Sequence, residues 1–180
     1  MSNRFRFCPQ CSSELQRQLH GEVERFGCAL PGCGYVHWNN PVPVVAAVVQ
    51  HEGKILLARN VAWPQKFFAL ITGFLEKDDP SPEQAVLREV EEELGLRAQS
   101  ATFIGHYRFE QMNQLIIAYH VVAEGEVRLN EELAETIHVA PEEAKYWPAA
   151  TGLALRDWLR SQGHEPQEIP LPSRRPRSNS

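Results

Sequence analysis

The sequence predicts an α/β domain preceded by a small metal-stabilised unit and followed by an unstructured tail, and three observations carry that reading. All four cysteines fall within the first 33 residues of the 180-residue chain. From Pro41 the texture changes to near-continuous apolar runs of strand length, VPVVAAVVQ and KILLARN. Between about residues 82 and 94 lies a capped, helix-period segment dense in glutamate.

The cysteine unit is assigned residues 1–40. Cys8-Pro-Gln-Cys11 and Cys28-Ala-Leu-Pro-Gly-Cys33 are turn-like, because Pro and Gly bend the backbone until two sulfurs face one point. Residues 5–38 then read as two knuckles joined by a short hairpin. A unit of about 35 residues cannot hold itself together by apolar burial, so it needs a metal or disulfides. The N-terminal MSNRFRFCPQC has no apolar core of a secretory signal, which leads to the expectation of a cytoplasmic protein. A reducing compartment favours metal over disulfides. Cys8, Cys11, Cys28 and Cys33 match a closed tetrahedral Zn²⁺ site of four thiolates, its second knuckle wider than the commoner two-residue spacing.

The main domain is assigned residues 41–163. His51-Glu52-Gly53 separates the first two apolar runs and reads as a hairpin turn between buried strands. A further apolar stretch, Phe67–Phe74, is followed by the polar loop Lys77–Pro82. A helix is predicted over about 82–94: Ser81 is a good N-cap, Pro82 suits the first helical position, Gln84 completes a capping box and Gly95 supplies the stop. Strands are predicted at about 100–110 and 114–124, and helices at 141–146 and 151–162, the last with Leu155, Trp158 and Leu159 on one face. Residues 164–180 have proline, arginine and serine without apolar periodicity and read as disordered tail, with Arg174, Arg175 and Arg177 solvated and a phosphate-binding role for them as the alternative.

Composition narrows the function. The apolar run Val42–Val49 falls far short of the roughly 20 residues that span a bilayer, so no membrane partner is expected. The net charge is −5 and the pI about 5.8, which sets nucleic acid low among the expected partners. Residues 1–40 are themselves nearly neutral.

Within the predicted helix, Val86, Leu87, Val90 and Leu94 form a core-facing stripe. Glu89, Glu92 and Glu93 lie beside it on an arc of about 100°, at 100° of turn per residue. The helix dipole disfavours anions in this C-terminal half by about 0.3–1 kcal/mol each, and carboxylates four apart repel. A hard divalent cation resolves the conflict; a solvated charged face is the alternative.

The stretch Gly73–Leu96, GFLEKDDPSPEQAVLREVEEELGL, resembles the Nudix box, G-x5-E-x7-R-E-U-x-E-E-x-G-U with U aliphatic. Arg88, Glu89, Val90, Glu92, Glu93, Gly95 and Leu96 fit its second half without a gap. The first half departs: Asp79 stands at the glutamate position, and eight residues rather than seven separate it from Arg88. The resemblance implies a Nudix α/β/α sandwich around a mixed sheet. It also implies Mg²⁺ or Mn²⁺ on Glu89, Glu92 and Glu93, with Arg88 orienting the box glutamates by salt bridge. A further carboxylate from beyond the box is assigned to Glu135, with Glu110, Glu131 and Glu132 as competitors. Phe74, Tyr107 and Phe109 are assigned to stack a substrate ring.

A ribbon before such a domain is similar to the zinc-ribbon, NADH pyrophosphatase-like branch, as is the junction Tyr35–Pro41. That branch's SQPWPFP signature is absent, and this chain has Gly105–Asn113 there instead. The resemblance implies hydrolysis of a nucleoside diphosphate linked to another moiety, such as NADH, FAD or ADP-ribose, to two monophosphates. Hydrolysis of an RNA cap such as an NAD cap, or a binding module with a relic Nudix domain, are the alternatives; a homodimer is left open.

Overall fold

The computed structural model describes residues 5–63 and 67–171. The chain divides into two compact units, residues 1–40 and 41–180.

In the first unit, β1 (Leu15–His20), β2 (Val23–Cys28) and β3 (Val36–His37) form an antiparallel sheet. The two-residue turn between β1 and β2 starts with Gly21 at φ 63°, the left-handed geometry that a tight hairpin of this hand requires. Its small apolar cluster is built from Cys8, Leu15 and Cys28 with Cys11, Phe26, Cys33 and Tyr35 against them. Four of these seven residues are cysteine, which is why burial alone gives the unit so little.

The second unit is a mixed sheet between two helices. Its strands are β4 (Val42–His51), β5 (Lys54–Asn60), β6 (Ile71–Phe74), β7 (Arg97–Phe109), β8 (Gln114–Glu124) and β9 (Leu133–Val139), and its helices are α1 (Pro82–Leu94) and α2 (Thr151–Ser161). The order is β7-β8-β4-β5-β9, with β6 pairing β4. The β4–β8 pairing is parallel and the others antiparallel. Central β4 shows why its sequence is apolar throughout. Val45, Ala47 and Val49 pack in the core beneath α1, while Val44, Ala46 and Val48 face the clusters that contain α2 residues. Both faces are covered, so the strand does not alternate. Among the described residues, no helix is long and apolar enough to cross a membrane.

Helix α1 has the expected bounds and caps: Ser81 Oγ accepts from the Gln84 N–H, and Gly95 takes φ 64°. The hairpin at Glu52-Gly53 forms with both residues at positive φ. Three elements differ from the sequence expectation. The predicted helix at 141–146 is a single 3-10 turn, Pro141–Glu143. So short a segment is not self-sustaining, and burial of Ala144 and Trp147 draws the following chain onto the sheet. Strand β9 was not anticipated, although Leu133, Glu135, Ile137 and Val139 alternate with other residues. Residues 164–171 of the predicted tail run back along the domain: Tyr146 bridges Glu168, the Ile169 N–H donates to the Tyr146 carbonyl, and Ile169 packs into the α2 core. The rest of that tail, residues 172–180, lies outside the described residues.

Candidate active site and zinc-ligand cluster

A cavity of about 530 Å³ opens where α1, β6 and the chain before α2 meet, and it is lined by carboxylates on one wall and aromatic rings on another. The acidic wall comprises Glu76, Glu89, Glu92, Glu93 and Glu132. Helix geometry sets their burial. Glu93 projects about 20° from Val86 around the helix axis, so it is drawn against the core and only 9% exposed.

Glu89 lies against the strand beside it. A Cβ on Gly73 would meet the Glu89 carboxyl carbon at 1.8 Å, so only glycine in β6 lets that carboxylate reach the cavity. The helix stop matters in the same way. Gly95 bends the chain in the left-handed region where a Cβ would press on Arg128. Beyond the turn, the Arg128 and Asn130 N–H groups donate to the Leu94 and Glu93 carbonyls, at 2.7 and 3.2 Å. The last turn of α1 thus has its carbonyls satisfied by the loop that delivers Glu132 to Glu93. The Glu132 carbonyl in turn accepts from the Val61 N–H.

Arg88 ties the acidic wall together. Its Nε and Nη2 donate to the two Asp79 oxygens, both at 3.1 Å, and its Nη1 donates to Glu89 at 2.8 Å and Glu92 at 2.9 Å. Asp79 also accepts from the Glu76 N–H at 2.8 Å. These bonds hold the Asp79 carboxyl below its usual range, Arg88 contributing most. The one-residue-longer loop therefore brings the shorter Asp79 side chain to the guanidinium in the forked geometry that arginine favours.

Burial raises the Glu89 carboxyl, and it pushes the Glu93 carboxyl up to about 8, helped by the charges of Glu89, Glu132 and Glu92. An acid whose folded-state value exceeds its unfolded value of 4.5 contributes stability below that value and loses it as pH rises to about 8. Without added Mg²⁺ or Mn²⁺, the melting temperature is expected to fall between pH 5.5 and 8.5, and Glu93→Gln to remove that component. A thermal-shift series on the two proteins checks it; parallel curves would contradict it.

The sequence-assigned residues separate into two groups. Arg88, Glu89, Glu92, Glu93, Phe74 and Phe109 line the cavity. Glu135 does not: it pairs with Arg59 at 2.7 Å. The β-bulge opposite Arg59 and Asn60 is the reason. Leu133 packs under α1, whereas Ile137 and Val139 pack under α2, so Glu135 shares the face away from α1. Glu132, just before the bulge, occupies the cavity instead. Tyr107 is also elsewhere: its hydroxyl donates to Asp157 of α2 at 2.9 Å, and burial, helped by this hydrogen bond, raises it above its usual range. Sequence reading missed Glu76, Trp63 and Trp147. Trp63 is 5.8 Å from Phe67, and Phe67 is 5.2 Å from Trp147, ring centre to ring centre. No motif singles out these rings, which converge only through the fold.

In the first unit, Cys8, Cys11, Cys28 and Cys33 have sulfurs all within 4.8 Å of one another. Cys8 and Cys33 are 3.8 Å apart, and Cys11 and Cys28 3.4 Å. A tetrahedron with metal–sulfur bonds of about 2.3 Å has edges of about 3.8 Å, so the cluster fits zinc. The Gln10 and Leu30 N–H groups point at Cys8 and Cys28 sulfurs, each at 3.4 Å, which suits thiolates. Among the described residues, this is the one set of three or more potential ligands gathered so closely. The glutamates are less gathered, with Arg88 holding Glu89 and Glu92, yet five carboxylates lining one cavity offer oxygen donors of the kind a hard divalent cation takes.

Residues 40–161 match the NUDIX domain. The chain belongs to the Nudix family. Outside the family match, the chain is 30% identical over 115 residues to the NAD-capped RNA hydrolase NudC of Pseudomonas aeruginosa, covering 64% of this chain and 40% of that protein. It is 29% identical over 133 residues to the protein of the same name from Mycobacterium tuberculosis, covering 71% and 40%. The chain thus matches about two-fifths of the length of these relatives. Among solved structures, a Nudix hydrolase from Nitrosomonas europaea aligns with a TM-score of 0.71 at 22% identity, over 93% of this chain and 100% of that one. A MutT Nudix hydrolase from Burkholderia pseudomallei aligns at 0.53 and 26%, over 66% and 98%. The Nudix sandwich is therefore the fold of the second unit, and the cysteine cluster before it is compatible with a zinc ribbon.

Proposed function

We propose that this Nudix protein hydrolyses the pyrophosphate bond of a dinucleotide-type substrate, releasing two monophosphates. The observation that supports this most is the cavity itself: five glutamates line it, and one of them, Glu93, is buried near a helix C-terminus, where a bound cation would offset the cost of its charge. Glu89, Glu92, Glu93 and Glu132 would hold Mg²⁺ or Mn²⁺. Bound there, such ions neutralise phosphate charge and lower the pKa of water.

The chain's own residues supply the rest. Arg88, anchored by Asp79, sets the angles of Glu89 and Glu92. Gly73 leaves room for the Glu89 carboxylate. Glu93, buried on the same wall, would present its carboxylate to the cation rather than to solvent. Phe74, Phe109 and Trp63 offer flat apolar surface to a base or nicotinamide ring. Zn²⁺ on the four cysteines has a structural role, since no ligand position is left open.

Aromatic stacking with phosphate–metal contact discriminates weakly between rings, whereas dedicated polar recognition discriminates by several decades. The lining is mostly apolar and acidic, with Gln114 and the two threonines Thr72 and Thr151 as its neutral polar side chains. NADH, NAD, FAD and ADP-ribose are therefore expected to differ in kcat/KM by less than about a hundredfold under one metal condition. A larger preference for NADH would contradict the stacking account. The names of the two NudC relatives add NAD-capped RNA to the substrates to be compared, raising nucleic acid above its place in the sequence expectation.

A further inference from the structure

On the face of the sheet turned toward α2, the cavity contains a slot with an aliphatic floor. Val44 of β4 and Ile116 of β8 stand side by side in register and pack with Ala150 to form that floor. Phe74 is in register with Val44 from the β6 side, and Phe109 of β7 packs against the same cluster from the other. All five residues line the cavity, and Phe74 is left 59% exposed, a ring with its surface uncovered. Across β6-β4-β8-β7 the two rings are three strand spacings apart, about 14 Å at the backbone. One purine lying on the floor fits between them.

Gln114 closes the end of this slot. It begins β8 two residues before Ile116 and so shares its face, in register with Phe109 and Val42. The neck of the β7–β8 hairpin fixes its place. Asn113, at φ 51°, donates its N–H to the Glu110 carbonyl, and its own carbonyl accepts from the Val42 N–H at 2.9 Å. The Gln114 side chain is half-buried in the cavity wall, and among the described residues no hydrogen bond engages its amide. An amide drawn partly out of water without a partner is costly, and a ligand edge with a donor beside an acceptor satisfies both of its ends. The carboxylates stand at the opposite end: Glu89 reaches the cavity past Gly73 of β6, two strand spacings from β8.

We infer that Gln114 is a specificity-determining residue that reads the adenine edge of the substrate, its Oε1 accepting from the N6 amino group and its Nε2 donating to N7. This rests on the cavity's being the dinucleotide site proposed above and deepens that reading. A glutamine amide matches the N6/N7 edge of adenine with two hydrogen bonds. With the base in the slot against Gln114, the diphosphate runs toward Gly73 and the glutamates. Adenine is the part that NADH, NAD, FAD and ADP-ribose share, so this contact favours all four and leaves them unseparated from one another. Hypoxanthine presents two acceptors, O6 and N7, on the same edge, and one of them faces Oε1 without a proton between.

The test compares NAD with its analogue carrying hypoxanthine in place of adenine, under one Mg²⁺ condition, in the wild-type chain, Gln114→Ala and Gln114→Met. The wild-type chain is expected to favour the adenine form by at least about tenfold in kcat/KM, the scale of one two-bond contact of this kind. Both variants are expected to bring the two forms close to equality. Methionine keeps the length and flexibility of glutamine without its donor and acceptor, so Gln114→Met separates recognition from packing. Binding of AMP and IMP to the same three proteins is measured by calorimetry, where no bond is broken, and the ratio of Kd values is expected to follow the same pattern.

Equal Kd values for AMP and IMP in the wild-type chain, a base preference that survives in Gln114→Met, or no binding of AMP would overturn the inference. If AMP is preferred and Gln114→Met abolishes the preference while neither dinucleotide is cleaved, the hydrolase proposal fails and the base contact stands. Cleavage of both dinucleotides with equal kcat/KM by the wild-type chain upholds the hydrolase and removes the base contact.

Discussion

Glu93→Gln is expected to lower kcat for dinucleotide hydrolysis by roughly a hundredfold or more with little change in fold. The side chain is buried beside Val86 and Val90 in the α1 stripe, so the isosteric amide keeps its packing. What it loses is a carboxylate among four others on the same cavity wall. In the protein without Mg²⁺ or Mn²⁺ the change is expected to stabilise at neutral and higher pH, because a neutral amide is free of the burial cost and of the repulsion from Glu89, Glu132 and Glu92 that push the Glu93 carboxyl up to about 8. Circular dichroism and thermal shift check the fold, and steady-state kinetics with added cation check turnover. Undiminished turnover would remove Glu93 from the reaction.

The second large effect is expected in the cysteine unit. Cys28→Ser removes one of four sulfurs from a cluster whose apolar remainder is little more than Leu15, Phe26 and Tyr35. Structural zinc contributes about 10–16 kcal/mol in small peptide units of this kind. Its loss should therefore unfold residues 5–37, read as rapid amide hydrogen exchange confined to that unit. The core of the second unit is separately built and should keep its protection. Wild-type protein should contain one zinc per chain by elemental analysis. Zinc well below that ratio, with four thiols reacting rapidly in the native protein, would contradict the assignment.

Much of the fold is legible because its signals are local. Ser81, Pro82 and Gly95 bound α1 through caps that depend on neighbours within four residues. The apolar run of β4 announces a strand covered on both faces, and Glu52-Gly53 announces its turn. The box glutamates were readable for the same reason, since helical spacing alone gathers Glu89, Glu92 and Glu93.

What was not legible depends on contacts distant in sequence. Glu132 and Glu135 are three residues apart and chemically alike. A bulge against Arg59 and Asn60 decides which one reaches α1, and β9 with its register is not visible without the sheet. Tyr107 and Phe109 share a strand and an orientation, yet Asp157 of α2 claims the tyrosine hydroxyl. Trp63, Trp147 and Leu171 enter the cavity from three separate segments. Asp79 lies between these cases. The sequence places it at the box position, and the forked pair with Arg88 shows how the extra loop residue compensates for a shorter side chain.

Product analysis with a single substrate tests the central claim most directly. NADH is incubated with the full chain and Mg²⁺ or Mn²⁺, and the nucleotides are separated by chromatography. Cleavage at the pyrophosphate predicts AMP and reduced nicotinamide mononucleotide in equal amounts, appearing only with added divalent cation. No products with either cation, products formed equally well without one, or cleavage at the glycosidic bond to release free nicotinamide would contradict it.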